Sequence, residues 1–426
     1  MNLFHKGKSI TILLLFILSG CSFGKSAKAV QCLPIRIGVI IAHETQESGM
    51  EQKKGYEMAL ADINQAGGIQ GCPIELIYKN EGEETDTEAA QVAVMQLADE
   101  NVLAILGGTT NDATMRAAAI ASYFKVPLLI PSATSDEITQ RGNQWVFRLS
   151  ASNKSDAGTA FEMVRNELGA GAKTVILYEQ TSYGQSAAVV TATAAIAQEM
   201  DVIGYFSYST QNGDLTALAE QVTELEPEVV YIISSDQAQA SGLLGTLQMQ
   251  HLSANMVIGH GPGFMDRSFL YDGNQEVYTY LDHLILVANW ATDLPWHGME
   301  KYKHDFQVYS QEHDQVSTIP VIDNVETYSA LHLMAGALEQ LTLTTPNGKK
   351  NQDLIGDQLK DYREKLAQAL RNLDVNQRDT LFGPVVFDGT GQNMQTTVLV
   401  QVLEGSLVTV YPPKYAVQEP DYVSGW

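Results

Sequence analysis

Short apolar runs alternate with amphipathic stretches along most of this chain. The runs Ile35–Ile41, Ile74–Tyr78, Val102–Leu106, Leu128–Ile130, Thr174–Tyr178, Val202–Tyr208, Val229–Ile233 and Met256–Gly259 are brief and rich in branched residues, which predicts buried strands. Between them lie stretches such as "QKKGYEMALADINQAGG". There Tyr56, Ala59, Leu60 and Ile63 recur at helical spacing, and Gly67-Gly68 end the helix. Strand–helix units of this kind predict parallel sheets covered by helices.

The alternation runs twice, over 33–150 and again over 153–288, so two doubly wound α/β lobes are expected rather than one large sheet. After 288 the strands stop, and "NVETYSALHLMAGALEQL" and "DLIGDQLKDYREKLAQALRNL" predict long helices. Short strands return at "GPVVFD" and "TTVLVQVLEGSLVTVYPP". This late section must pack on both lobes, so the chain crosses between them more than once. Repeated crossings make a hinge.

The first residues are a separate object. Lys6 and Lys8 precede "SITILLLFIL", an apolar run too short to span a bilayer as a permanent helix, and "LSGC" follows. This pattern looks like a bacterial lipobox, with cleavage before Cys21 and a lipid on its sulfur. An ordinary signal peptide with an incidental cysteine is the plainer alternative. The chain has 426 residues and a net charge of −24; loss of Lys6 and Lys8 makes that −26. Such acidity argues against nucleic acid and against charge-driven docking on anionic lipid. A membrane partner is then expected through the lipid alone.

Cys32 and Cys72 remain in an exported, oxidising setting. Each stands just before an apolar run, "CLPIRIGVII" and "CPIELIY". If those runs are neighbouring parallel strands, both cysteines lie at one edge, close enough to bridge. Two buried free thiols are the alternative.

Ligands of open parallel sheets sit beyond the carboxyl ends of the strands. "VPLLIPSATSDEI" ends a strand in Ser132, Ala133 and Thr134, and "VLAILGGTTNDAT" ends one in Thr109, Thr110 and Asn111. Hydroxyls and free amides there suit an anion, although capping of the following helices is the plainer reading. Asp112 is the expected cap of the second, leaving Thr110 and Asn111 to face the crevice. In the second lobe "TVILYEQTSYGQS" supplies Tyr183, and "VVYIISSDQAQ" supplies Ser235 and Asp236. An aromatic ring and an acid on the facing rim suit a small zwitterion or amide. G-x-S-x-G, P-loop and H-E-x-x-H patterns are absent, and the nine histidines are scattered. Neither an enzyme nor a metal or cofactor site is expected. "GHGPG" at Gly259–Gly263 reads as a tight turn between strand and helix.

With these residues in view, the chain resembles the leucine/isoleucine/valine-binding proteins of bacterial transporters. "GYEMALADINQAGGIQGCPIELI" is similar to the family's "ADIN…GGI" stretch, and "KVPLLIPSATSDEITQRGNQWVFRLSAS" to its strand and "P-x-A-T" turn. "YEQTSYGQS" is similar to its "YG" loop and "FGPVVFDGTGQ" to its late "GP…F/W-D…G" element. The ordered set covers essentially all of 33–415.

The resemblance implies a type I periplasmic-binding fold with three crossings and a ligand in the cleft. We accordingly assign 1–20 to a signal peptide, 21–32 to a tether, and 33–152 plus 289–382 to lobe 1. Residues 153–288 plus 383–415 form lobe 2, and 416–426 a tail. By the same resemblance Ser132 and Thr134 hold a ligand carboxylate, helped by Asn111 where the family usually has serine, and Tyr183 closes over the ligand. Two departures stand out. The family's amino-acid binders pair the ligand ammonium with a glutamate whose counterpart falls near Gly261, where there is no acid. A tyrosine of the first loop is replaced by Ser48. Asp236 is a candidate for the missing charge. The implied function is a lipid-anchored solute-binding protein that delivers a branched-chain amino acid or related small polar ligand to an ABC permease. A sensor component for urea, amides or aromatic acids is the rival.

Overall fold

The computed structural model describes residues 32–42, 47–82, 87–140, 142–211, 213–271, 277–313, 318–342, 355–373, 379–394 and 397–422. The expected signal segment and Cys21 lie outside the described residues. The first half of the chain folds as β1 (Ile35–Ile41), α1 (Glu47–Gln65), β2 (Ile74–Asn80), α2 (Thr87–Asp99), β3 (Ala104–Gly107), α3 (Asn111–Tyr123), β4 (Leu128–Ile130), α4 (Glu137–Gln140) and β5 (Val146–Arg148). These strands form one all-parallel sheet in the order β2-β1-β3-β4-β5. Being covered on both faces, they read as continuous apolar runs rather than alternating ones.

The second half repeats the scheme with α5 (Asn153–Glu167), β6 (Lys173–Glu179), α6 (Ser182–Ala197), β7 (Asp201–Tyr208), α7 (Leu215–Glu224), β8 (Val229–Ile233), α8 (Gln237–Met249), β9 (Met256–His260), α9 (Pro262–Met265), α10 (Arg267–Leu270) and β10 (Ile285–Ala288). The parallel order β7-β6-β8-β9-β10 is the first sheet's order again. Then come α11 (Met299–Glu312), α12 (Ile322–Glu339), α13 (Gly356–Arg371) and the short pair β11 (Asp379–Thr380) and β12 (Gly383–Pro384). β13 (Val398–Leu403) and β14 (Ser406–Tyr411) join the second sheet antiparallel beside β10. Two doubly wound lobes are therefore present. Among the described residues no helix is long and apolar enough to cross a membrane.

Two strands escaped the periodicity. β5 is three residues long and ends in Arg148, a charged side chain that is nonetheless fully buried. β10 follows an irregular segment and is not among the predicted strands, although it lies within the second repeat, 153–288. The expected strand at Val102 starts two residues later, at Ala104, although Val102 and Leu103 are buried.

Parallel pairing of Ile35 with Ile74 brings Cys32 and Cys72 to one edge, where they form a disulfide with a Cα–Cα distance of 5.1 Å. The first core gathers Tyr56, Phe147 and Leu106 with Phe306, Met334 and Leu366 from the late helices. The second sheet has a core on each face. Val385 and Phe387 pack into the first core, and Gln392 and Asn393 hydrogen-bond to Arg148 and the Leu149 carbonyl of the β5 segment. Val398 belongs to the second core. We therefore place the last crossing after Asn393, not at 382/383.

α12 is one of the long helices the sequence predicts, and it is buried nearly all round. Thirteen of its eighteen residues are buried. It crosses α1 at Gly55, where a Cβ would meet the Thr327 hydroxyl and the Asn324 carbonyl, and Thr327 Oγ1 donates to the Gln52 carbonyl at 2.9 Å. That close crossing fixes the first turn of α12 at the mouth of the first lobe.

Candidate functional site

The turn after β3 runs through Gly107 (φ +126°) and Gly108 (φ +116°), a left-handed stretch that favours glycine. α3 then opens with Thr110 at its N-cap position and makes no side-chain cap bond. Asp112 lies in the first turn and is not the cap; the helix starts two residues earlier than expected, so Thr110 takes that place. Thr110 Oγ1 is buried without a partner.

Asn111 joins two rims. Its Oδ1 accepts from the Thr134 amide at 3.0 Å and the Ser135 amide at 2.9 Å. Arg148 lies behind this loop, donating to the Ser135 carbonyl and, at 2.6 Å, to Gln392 Oε1. Burial lowers its pKa to about 10. The Thr109 amide donates to the buried Glu81 carboxylate at 3.0 Å. Burial pushes Glu81 up to about 7, against the lowering effect of bonds from Thr109 and Thr110.

The facing rim is built alike. Glu179, fully buried at the end of β6, accepts from Ser234 Oγ at 2.8 Å, the Ser235 amide at 2.9 Å, Thr181 Oγ1 at 2.8 Å and the Ser235 hydroxyl. Thr181 caps α6 through the Gly184 amide, which sets Tyr183 in the first turn. The Tyr183 hydroxyl is buried and unpartnered. It lies 2.6 Å from where a Cβ on Gly261 would stand, and Gly261 has φ +112°. Tyr183 thus fills the space beside Gly261, the position where the family resemblance implies an acid.

Between the rims is a cavity of about 310 Å³, at the lower end of the ~300–1,000 Å³ usual for small-molecule sites. Of the expected residues, Thr110, Asn111, Ser132, Ala133 and Thr134 line it from one lobe and Tyr183 and Ser235 from the other. Ser48 lines it too. Asp236 does not. It is exposed, and its carboxylate caps α8 by accepting from the Gln239 amide at 2.8 Å. Its place after a strand reflected helix capping rather than ligand contact.

The acids that do line the cavity are Asp156, Asp266, Asp323 and Glu326. Asp156 accepts from Thr397 Oγ1 at 2.7 Å and lies 3.5 Å from His260 Nε2, both groups deeply buried. Asp266 caps α10 through the Ser268 amide. Asp323 and Glu326 are one turn apart on α12, hence on one face. Burial raises Asp323 to about 7, reinforced by Glu51. Burial also holds Glu326 well above the usual carboxylate range, with Ser132 opposing and Asp323 and Asp156 reinforcing. Sequence reading missed these two because α12 carries the pattern of a buried core helix. The one available signal was a pair of acids, at a spacing of three, opening an otherwise apolar helix. Among the described residues, no cluster of His, Cys, Asp and Glu is arranged to hold a metal ion.

Comparison with known proteins agrees with this architecture. The sequence pattern of the family described as periplasmic binding protein matches residues 34–406. A curated relative, Leu/Ile/Val-binding protein homolog 7 of Brucella abortus, is 24% identical over 389 residues, covering 87% of this chain and 89% of its own. An ABC transporter substrate-binding protein from Desulfitobacterium hafniense, solved in complex with Leu, superposes with a TM-score of 0.69 at 22% identity, covering 88% of this chain and 100% of that one. A solute-binding protein of an ABC transporter from Rhodopseudomonas palustris, solved with 3,4-dihydroxy benzoic acid, gives 0.68 at 18% identity, with 91% and 99% covered.

Proposed function

The chain belongs to the periplasmic binding protein family, a family of ligand-binding rather than catalytic proteins, and on that premise we propose that it captures one small polar molecule of amino-acid size between its lobes. It is the solute-binding component of an ABC transporter. The ligand is of the branched-chain amino acid class or a related small polar compound, delivered to a permease, and the protein is held at the membrane by a lipid on Cys21. The observation that carries the reading is the cavity itself, whose lining comes from the carboxyl ends of strands in two facing sheets. Thr110 and Tyr183 bring buried hydroxyls with no partner to it. Such groups cost stability until a ligand satisfies them.

Relatives support the size class. One is named for leucine, isoleucine and valine, and solved structures of like fold hold leucine or a dihydroxybenzoic acid. Ligand affinity for the closed form would drive closure about the three crossings. Native mass spectrometry of the purified protein, followed by melting curves against amino acids, amides and aromatic acids, tests the proposal. We expect one retained or added small molecule per chain and a rise in melting temperature. A chain that carries nothing and is shifted by none of these compounds overturns it.

A further inference from the structure

Every rim amide singled out above is already engaged from inside the protein. The Thr109 amide donates to Glu81, those of Thr134 and Ser135 to Asn111, and that of Ser235 to Glu179. A ligand carboxylate arriving at these four amides therefore finds them occupied by side-chain oxygens. Ser132, the other expected carboxylate holder, faces Glu326, a carboxyl group 4% exposed. The lining holds four carboxyl side chains and no lysine or arginine. The nearest cations are already paired elsewhere: Arg267 lies 3.2 Å from Glu47 and 3.3 Å from Glu51, and Lys54 is 3.2 Å from Glu51. His260 lies against Asp156.

Buried carboxylates need a countercharge or they remain protonated. Resting on the cleft reading, we propose that the ligand brings that countercharge: it is a small cation with an ammonium or guanidinium group directed at Glu326 and Asp323, and it is not an acid held by its carboxylate. The unpartnered hydroxyls of Thr110 and Tyr183 and the free Nδ1 of His260 fit this chemistry, since each can accept a ligand N–H. Tyr183 and His260 are both more than nine-tenths buried and line the same cavity. Tyr56, Asp156 and Ser132 face Glu326, and Glu51, Glu47, Asp266 and Gln52 face Asp323. Of that shell, Glu47 and Glu51 are matched by Arg267 and Lys54, and the remaining charged groups, Asp156 and Asp266, are acids.

A cation beside a carboxyl group favours its ionised form, so binding releases protons; an arriving anion has the opposite effect. Titration calorimetry of the purified chain at pH 7, in two buffers of different ionisation enthalpy, separates the cases. The probes are L-lysine, 1,5-diaminopentane, L-leucine and benzoate. We expect lysine or the diamine to bind roughly tenfold or more tightly than leucine, benzoate not to bind, and the cation to release protons. Glu326→Gln should lose roughly tenfold or more in cation affinity and most of the proton release, while melting in one transition and keeping or gaining leucine affinity. Leucine or benzoate binding as tightly as either cation, or a Glu326→Gln variant that binds the cation unchanged, overturns the inference and leaves the cleft reading intact. Silence from all four probes overturns it too, and the cleft reading is then judged by the molecule the protein carries from the cell.

Discussion

Gly261 shows how a single residue sets the site. Its φ of +112° and the Tyr183 hydroxyl 2.6 Å from a would-be Cβ leave no room for a side chain. Gly261→Ala should therefore lower unfolding free energy by about 1–3 kcal/mol, read by urea denaturation, and weaken ligand binding as Tyr183 is displaced. The buried carboxyls make a second prediction at this scale. Glu81 and Asp323 have folded pKa values near 7, and Glu326 lies well above the usual range. Groups raised in the folded state hold more protons there than in the unfolded chain, so stability falls as pH rises from about 4 through 7. His332, lowered by burial to about 4, acts in the opposite sense below its unfolded pKa of 6.5 and offsets one of the three. The empty protein should thus lose stability between pH 5.5 and 8, with a slope of at most about 1.4 kcal/mol per pH unit for each proton. Melting curves across that range check it, and stability that rises steadily through the range contradicts the burial of these groups.

At the scale of elements, the disulfide is the clearest case. Cys32 and Cys72 are 40 residues apart and tie the start of β1 to the start of β2. Replacing both by serine should cost about 4 kcal/mol from the freed loop alone, measurable in the same denaturation series. The pairing was legible because both cysteines precede strands that a parallel sheet sets side by side. The rims were legible for a like reason: β3, β4 and β8 are unbroken apolar runs that end abruptly in small polar residues. What stayed hidden depends on distance along the chain. Asp323 and Glu326 reach the cleft only because Gly55 lets α12 lie against α1, some 270 residues earlier. Asp236 misled because a helix cap and a ligand-binding acid occupy the same position after a strand. β5 was too short, and its Arg148 too polar, to announce a buried strand, although that arginine braces the Ser135 loop from behind.

Over the whole molecule, two repeats of one strand order face each other across a cavity, and the chain passes between them where Asp156 meets Thr397. Arg267 of α10 pairs across the mouth with Glu47 and Glu51 of α1. The two ends of this contact sit on different lobes. Arg267→Met should therefore favour opening and weaken ligand affinity about three- to tenfold, mainly through faster release; stopped-flow dissociation rates check this. The central claim is that a single ligand is gripped from both lobes at once. Its most direct test is a binding isotherm for the wild-type chain beside Thr134→Ala and Tyr183→Ala, one change on each rim. We predict one site per chain, with affinity lowered about threefold or more by each change and cooperative unfolding retained. Full affinity in both variants would contradict the account.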